Sequence, residues 1–199
     1  MLKRFTLAAA ALTSGVVPAF AHLDPGEHGS FAAGFTHPLF GTDHVLAMVA
    51  VGLWAALLAG TVDRRSLLTV PLAFVATMLA GFTAAMGGLP LPFVEPVILA
   101  SVVVIGLLAA IALRMPTPAA MALVGFFAFF HGHAHGGEIG EAGALSYAAG
   151  FAVATALLHA AGVAGGLLLG AAFGGTGRIL ARLAGGATAL GGLWLAFAG

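Results

Sequence analysis

The sequence predicts an all-α polytopic membrane helix bundle of six transmembrane helices behind an N-terminal signal peptide. Three observations predict it. The 199 residues are 61% hydrophobic and only 7% charged, where a soluble domain carries about 25% charged residues. The apolar residues fall into repeated runs long enough to cross a bilayer. Between the runs stand the breaks "TVDRRS", "GGLPLPFVEP", "LRMPTP", "HGGEIGEAG" and "FGGTGR", rich in the glycine and proline that interrupt helices.

The elements follow in order. Residues 1–21, "MLKRFTLAAAALTSGVVPAFA", join Lys3 and Arg4 to a short apolar stretch and to the small residues Ala19 and Ala21. That is the pattern of a secretory signal peptide cleaved after Ala21. The segment "HLDPGEHGS" then carries His22, Asp24, Glu27 and His28, and reads as a solvated tail. Residues 22–199 make one membrane domain, with spans expected at 37–60, 66–88, 93–113, 118–135, 143–171 and 178–198. Arg64, Arg65, Arg114, Arg178 and Arg182 fall in or beside the first, third and fifth loops, and the second and fourth loops hold no Lys or Arg. The positive-inside rule then sets both mature termini on the periplasmic side of a bacterial inner membrane.

Composition excludes several function classes. Seven basic residues balance seven acidic ones, so there is no field to hold nucleic acid. The chain has no cysteine, hence neither disulfides nor thiolate metal ligands. No GxxxxGK[ST] loop is present to hold a nucleotide, and no cofactor is expected.

The expected topology brings two polar motifs into one layer. "HPLFGTDHVLAM" enters from the outer side, which sets His44 about 10 Å below that surface at 1.5 Å per residue, and "FFHGHAHGGE" rises to it with His131 at a similar depth. Helical periodicity puts His37 and His44 on one face with Gly41 and Met48, Asp43 toward a neighbouring helix, and Pro38 at a helix N1 position. In the fourth span His131 and His135 share a face, joined by Glu138, while His133 faces the other way. An ionisable residue at the centre of a span costs about 2.5–3.5 kcal/mol, so several in one layer need a partner. A divalent metal ion supplies one. Imidazole and carboxylate without thiolate suit nickel or cobalt before zinc, which makes His37, Asp43, His44, His131, His135 and Glu138 the candidate metal ligands. His159, in "ATALLHAAG", is a lone histidine past the midplane, either a relay station or a packing residue. Met48 reads as core filler, and Glu95 complements a helix dipole. Gly162, Gly166 and Gly170 form a close-packing surface for another helix, and Phe126, Phe127, Phe129 and Phe130 pack the core.

These two motifs, on six spans after a cleavable signal, resemble the HupE/UreJ family of nickel permeases over essentially the whole mature chain. The resemblance implies uptake of nickel, in some members cobalt, for hydrogenase or urease maturation. It implies a metal pathway through His37, Asp43 and His44 in the first motif and His131, His135 and Glu138 in the second, with His133 at a variable position. Five residues separate His37 from Asp43-His44 where the broader nickel and cobalt permeases have four, so the chain is not grouped with those. The expectation is a secondary permease for Ni2+ or Co2+ and not an enzyme. Its partners are the ion and membrane lipid, with a homo-oligomer allowed. The rival from another class is an intramembrane zinc-dependent hydrolase, with zinc on three of the histidines and Asp43 or Glu138 as base; no HExxH motif supports it. A metal sensor that binds without transporting is a third reading.

Overall fold

The computed structural model describes residues 30–136 and 143–198, and among them every element is helical. The signal segment, the His22–His28 stretch and Glu138 lie outside the described residues. The elements are α1 (Phe31–Phe40), α2 (Thr42–Ala59), α3 (Ser66–Met86), α4 (Val94–Ala110), α5 (Thr117–Gly136) and α6 (Ala144–Ala198).

The first apolar segment begins earlier than periodicity alone suggested. Ser30 caps α1, its Oγ accepting from the Ala33 N–H at 3.0 Å, which satisfies a donor that a bare helix start leaves open. Pro38 is therefore inside α1 and not at a first helical position. The helix then stops at Gly41, whose backbone is extended (φ −78°, ψ 110°), and α2 starts afresh at Thr42. His37 and His44 sit on two helices joined at Gly41, a correction to the single helical face expected for them.

The far end of the chain differs in the opposite sense. The expected break between the fifth and sixth segments shrinks to one residue inside α6, Gly174, at φ 53° and ψ −122°. A β-carbon is disfavoured at such angles, and glycine has none. The chain folds back there, because a β-carbon on Gly177 would collide with the Leu169 carbonyl oxygen, eight residues upstream. The arm before Gly174 packs on α1 and α2; the arm after it packs on α4, where Gly185 and Ala189 abut Gly106.

The bundle is built around α2, buried almost without interruption from Ala47 to Leu58. Small residues let backbones touch where lipid offers no hydrophobic drive between helices. A β-carbon on Gly52 would strike the His159 carbonyl of α6, and one on Gly162 the Val49 carbonyl of α2. Of the expected glycine stripe, Gly162 and Gly166 meet α2, whereas Gly170 has nothing within 4 Å. The α3–α5 seam is built the same way, with Gly81 against Phe129 and Gly132 against Met78. In the phenylalanine run Phe127 is buried but Phe126 faces outward at 56% exposure, so only part of that run packs the core.

Among the described residues three helices, α2, α3 and α6, are long and apolar enough to cross a membrane, and α4 is a shorter apolar helix of 17 residues. The perimeter is oily. Leu145 is 89% exposed and Leu68 70%, a surface that suits lipid and not water. Arginines gather at one end: Arg182 donates to the Ala110 carbonyl at 2.7 Å, and Arg178 lines a cavity with Gly60 at the end of α2. The histidine motifs occupy the other end of α2, about 27 Å away at 1.5 Å per residue.

Candidate metal centre

The break at Gly41 positions the first motif. The last turn of α1 offers His37 and the first turn of α2 offers Asp43 and His44. Gly41 is also the residue that makes room, since a β-carbon there would lie 2.9 Å from His44 Nδ1 and 3.2 Å from Asp43 Oδ1. From the other direction the last turns of α5 bring His131 and His135, one helical turn apart and both buried.

The two motifs meet. His44 Nε2 and His135 Nε2 are 2.9 Å apart, and the His37 ring lies 4.2 Å from that of His135 and 5.6 Å from that of His44, centroid to centroid. One ring nitrogen from each of His37, His44 and His135 falls within 4.8 Å of the others, a group that could hold a metal ion. His131 is the next ring inward, 5.1 Å from His44. A cavity of about 400 Å³ opens onto the group, bordered by His37, Asp43, His44 and His135 and by Glu95 from the first turn of α4.

Neighbours set the proton positions. Asp43 Oδ2 lies 3.0 Å from His44 Nδ1, outside hydrogen-bond geometry but close enough for its charge to favour the ring proton on Nδ1. The Nε2 lone pair of His44 is then turned toward His135, which donates across the 2.9 Å contact. A carboxylate behind a ligand histidine fixes its orientation and raises its basicity. Asp43 thus lies one step behind the three-nitrogen group, and against its sequence neighbour instead of another helix.

His131 is set by a residue that sequence reasoning passed over. Ser101 donates its single hydroxyl hydrogen to the Ile98 carbonyl at 2.6 Å, so toward His131 Nε2, 2.9 Å away, it can only accept. His131 therefore carries its proton on Nε2 and keeps an Nδ1 lone pair that has no hydrogen-bond partner in its buried position. A signal was there to be read: Ser101 lies seven residues into α4, about 10 Å down, the depth of His44. Phe151 of α6 was also missed; fully buried, it stands 5.2 Å from His135 and 6.1 Å from His44, an apolar wall behind the cluster.

The remaining candidates separate. His133 faces away, its Nε2 donating to the Leu89 carbonyl at 2.7 Å, as its place on the helix predicted. Met48 is fully buried core. His159 is buried deeper along α6 and touches Phe74, ring centroids 4.9 Å apart.

Residues 9–195 match the family described as HupE / UreJ protein. The chain is 44% identical over 189 residues to Protein HupE of Rhizobium leguminosarum bv. viciae, covering 94% of this chain and 93% of that one. No solved structure matches it.

Proposed function

The chain belongs to the HupE/UreJ family, and from that premise we propose that this membrane protein is a secondary permease that carries Ni2+, with Co2+ as a second cargo, inward across the bacterial inner membrane to supply hydrogenase or urease maturation. The observation that carries the reading is the convergence of His37, His44 and His135 within 4.8 Å, at the mouth of a cavity large enough for a partly hydrated ion. His37, His44 and His135 are the first ligands, Asp43 orients His44, and His131 receives the ion next; Glu138 adds charge compensation.

The donor chemistry supports nickel. Neutral imidazole suits nickel among the divalent transition ions, and the chain has no cysteine to supply the thiolate of a softer site. All-nitrogen sites of neutral imidazole also permit release, which a thiolate cage would resist.

The six apolar segments are read as six spans, α6 supplying two of them on either side of Gly174. The arginines at the end remote from the histidines support a cytoplasmic position for that end, with both mature termini periplasmic. A divalent ion moving inward then gains about 4.6 kcal/mol per 100 mV, at about 2.3 kcal/mol per charge, so no nucleotide is needed. The hydrolase reading loses support, because Asp43, a base it would use, is committed to His44 Nδ1.

Accumulation of radiolabelled nickel in cells expressing the full chain tests the proposal. Expression should raise uptake over the vector control, and His44→Ala should return it to that control. Uptake by His44→Ala equal to that of the unaltered protein would reject the permease reading.

A further inference from the structure

A neutral imidazole has one N–H that needs an acceptor and one lone pair that needs a donor. His159 has neither need met. It is 1% exposed, and both ring nitrogens lack a hydrogen-bond partner. Burying unpaired polar atoms is costly, and a packing role alone would be filled better by phenylalanine or leucine, which carry no such atoms.

The surroundings give the imidazole a position on a path. From His44 to His131 the ring centroids are 5.1 Å apart, from His131 to Phe74 5.6 Å, and from Phe74 to His159 4.9 Å with the rings edge to face. One aromatic ring thus separates His131 from His159. One turn away on the same two helices Thr155 Oγ1 meets Met78 Sδ at 3.6 Å, so a thioether and a hydroxyl lie beside the imidazole, both fully buried. Beyond it, between α3 and α6, runs a cavity of about 370 Å³ walled by Leu68, Leu72, Val75, Val163 and Leu167. Those walls offer an ion nothing. Among the described residues His159 is the only imidazole on the inner side of His131.

We propose that His159 is the inner receiving ligand of the transport path, a second and weaker metal station that takes the ion after it leaves His131 and passes the Phe74 ring. It rests on the permease reading above. Fewer protein donors make the inner station weaker than the outer one, which favours onward release.

The test compares two replacements in the full-length protein. His159→Phe keeps the volume and the aromatic contact with Phe74 but removes both nitrogens; His159→Met keeps a soft donor. The expected result is that detergent-purified His159→Phe binds Ni2+ at the outer group with unaltered affinity, while cellular nickel accumulation falls at least about ten-fold and His159→Met recovers part of it. Wild-type accumulation by His159→Phe would overturn the proposal and leave a packing residue. Equal loss in both variants, with outer affinity intact, would overturn it too, because a donor would then make no difference. Should His159→Phe fail to fold, judged by its gel-filtration profile, His159→Leu carries the same comparison. Failure of the unaltered protein to take up nickel would defeat the permease reading itself, whereas normal uptake with an active His159→Phe defeats this inference alone.

Discussion

Gly41 carries no functional group, yet it sets the room available to His44 and Asp43. Its extended backbone ends α1 and begins α2, and any side chain would press on His44 Nδ1 at 2.9 Å. Gly41→Ala is expected to weaken Ni2+ binding about 10–100-fold, the usual effect of disturbing the group behind a ligand, while leaving helix content unchanged. Calorimetric titration of the purified variant, paired with circular dichroism, checks it; an unaltered affinity would show that His44 does not depend on this space. At this scale much was legible. The seven-residue step from His37 to His44 and the four-residue step from His131 to His135 do mark residues that converge. The route was not legible, because helical periodicity cannot report a one-residue break. Nor did it show that Asp43 turns back on His44, since that depends on where the new helix starts.

Helices bring these residues together through backbone contact. α5 can present its histidines to His44 because Gly132, between His131 and His135, lies against the Met78 carbonyl of α3. Gly132→Ala should force α3 and α5 apart and destabilise the protein by about 1–3 kcal/mol, the usual cost of overpacking. A lowered thermal midpoint in detergent together with weakened nickel binding is the expected outcome; a midpoint at the wild-type value would mean that the seam tolerates a methyl group. Helix boundaries were legible wherever glycine, proline and arginine cluster, as at "TVDRRS" and "LRMPTP". They were misplaced where a single residue does the work. Ser30 extends the first segment by capping it, and Gly174 reverses the chain in one step that a composition-based loop of six residues overstates. Ser101 was harder to read for another reason: its partner His131 is thirty residues away, and only the depth argument links them.

For the whole molecule, an oily perimeter, an arginine-bearing end and a histidine-bearing end divide the work of one small bundle. The perimeter keeps the protein in lipid, where Leu145 and Phe197, at 89% and 87% exposure, would be costly in water. In the proposed permease the arginines orient it, and the histidines meet the ion. Imidazoles are tolerated in an apolar interior when they are paired or when a cation gathers them; here His44 pairs with His135 and lies against Asp43, and His131 pairs with Ser101, and under the proposed function the ion gathers His37, His44 and His135. X-ray absorption spectroscopy of the nickel-loaded, full-length protein tests that claim most directly. Three imidazole nitrogens at about 2.0–2.1 Å are expected for the unaltered chain, with two in His135→Ala. A shell of oxygen ligands alone, or an imidazole count that His135→Ala leaves unchanged, would contradict it.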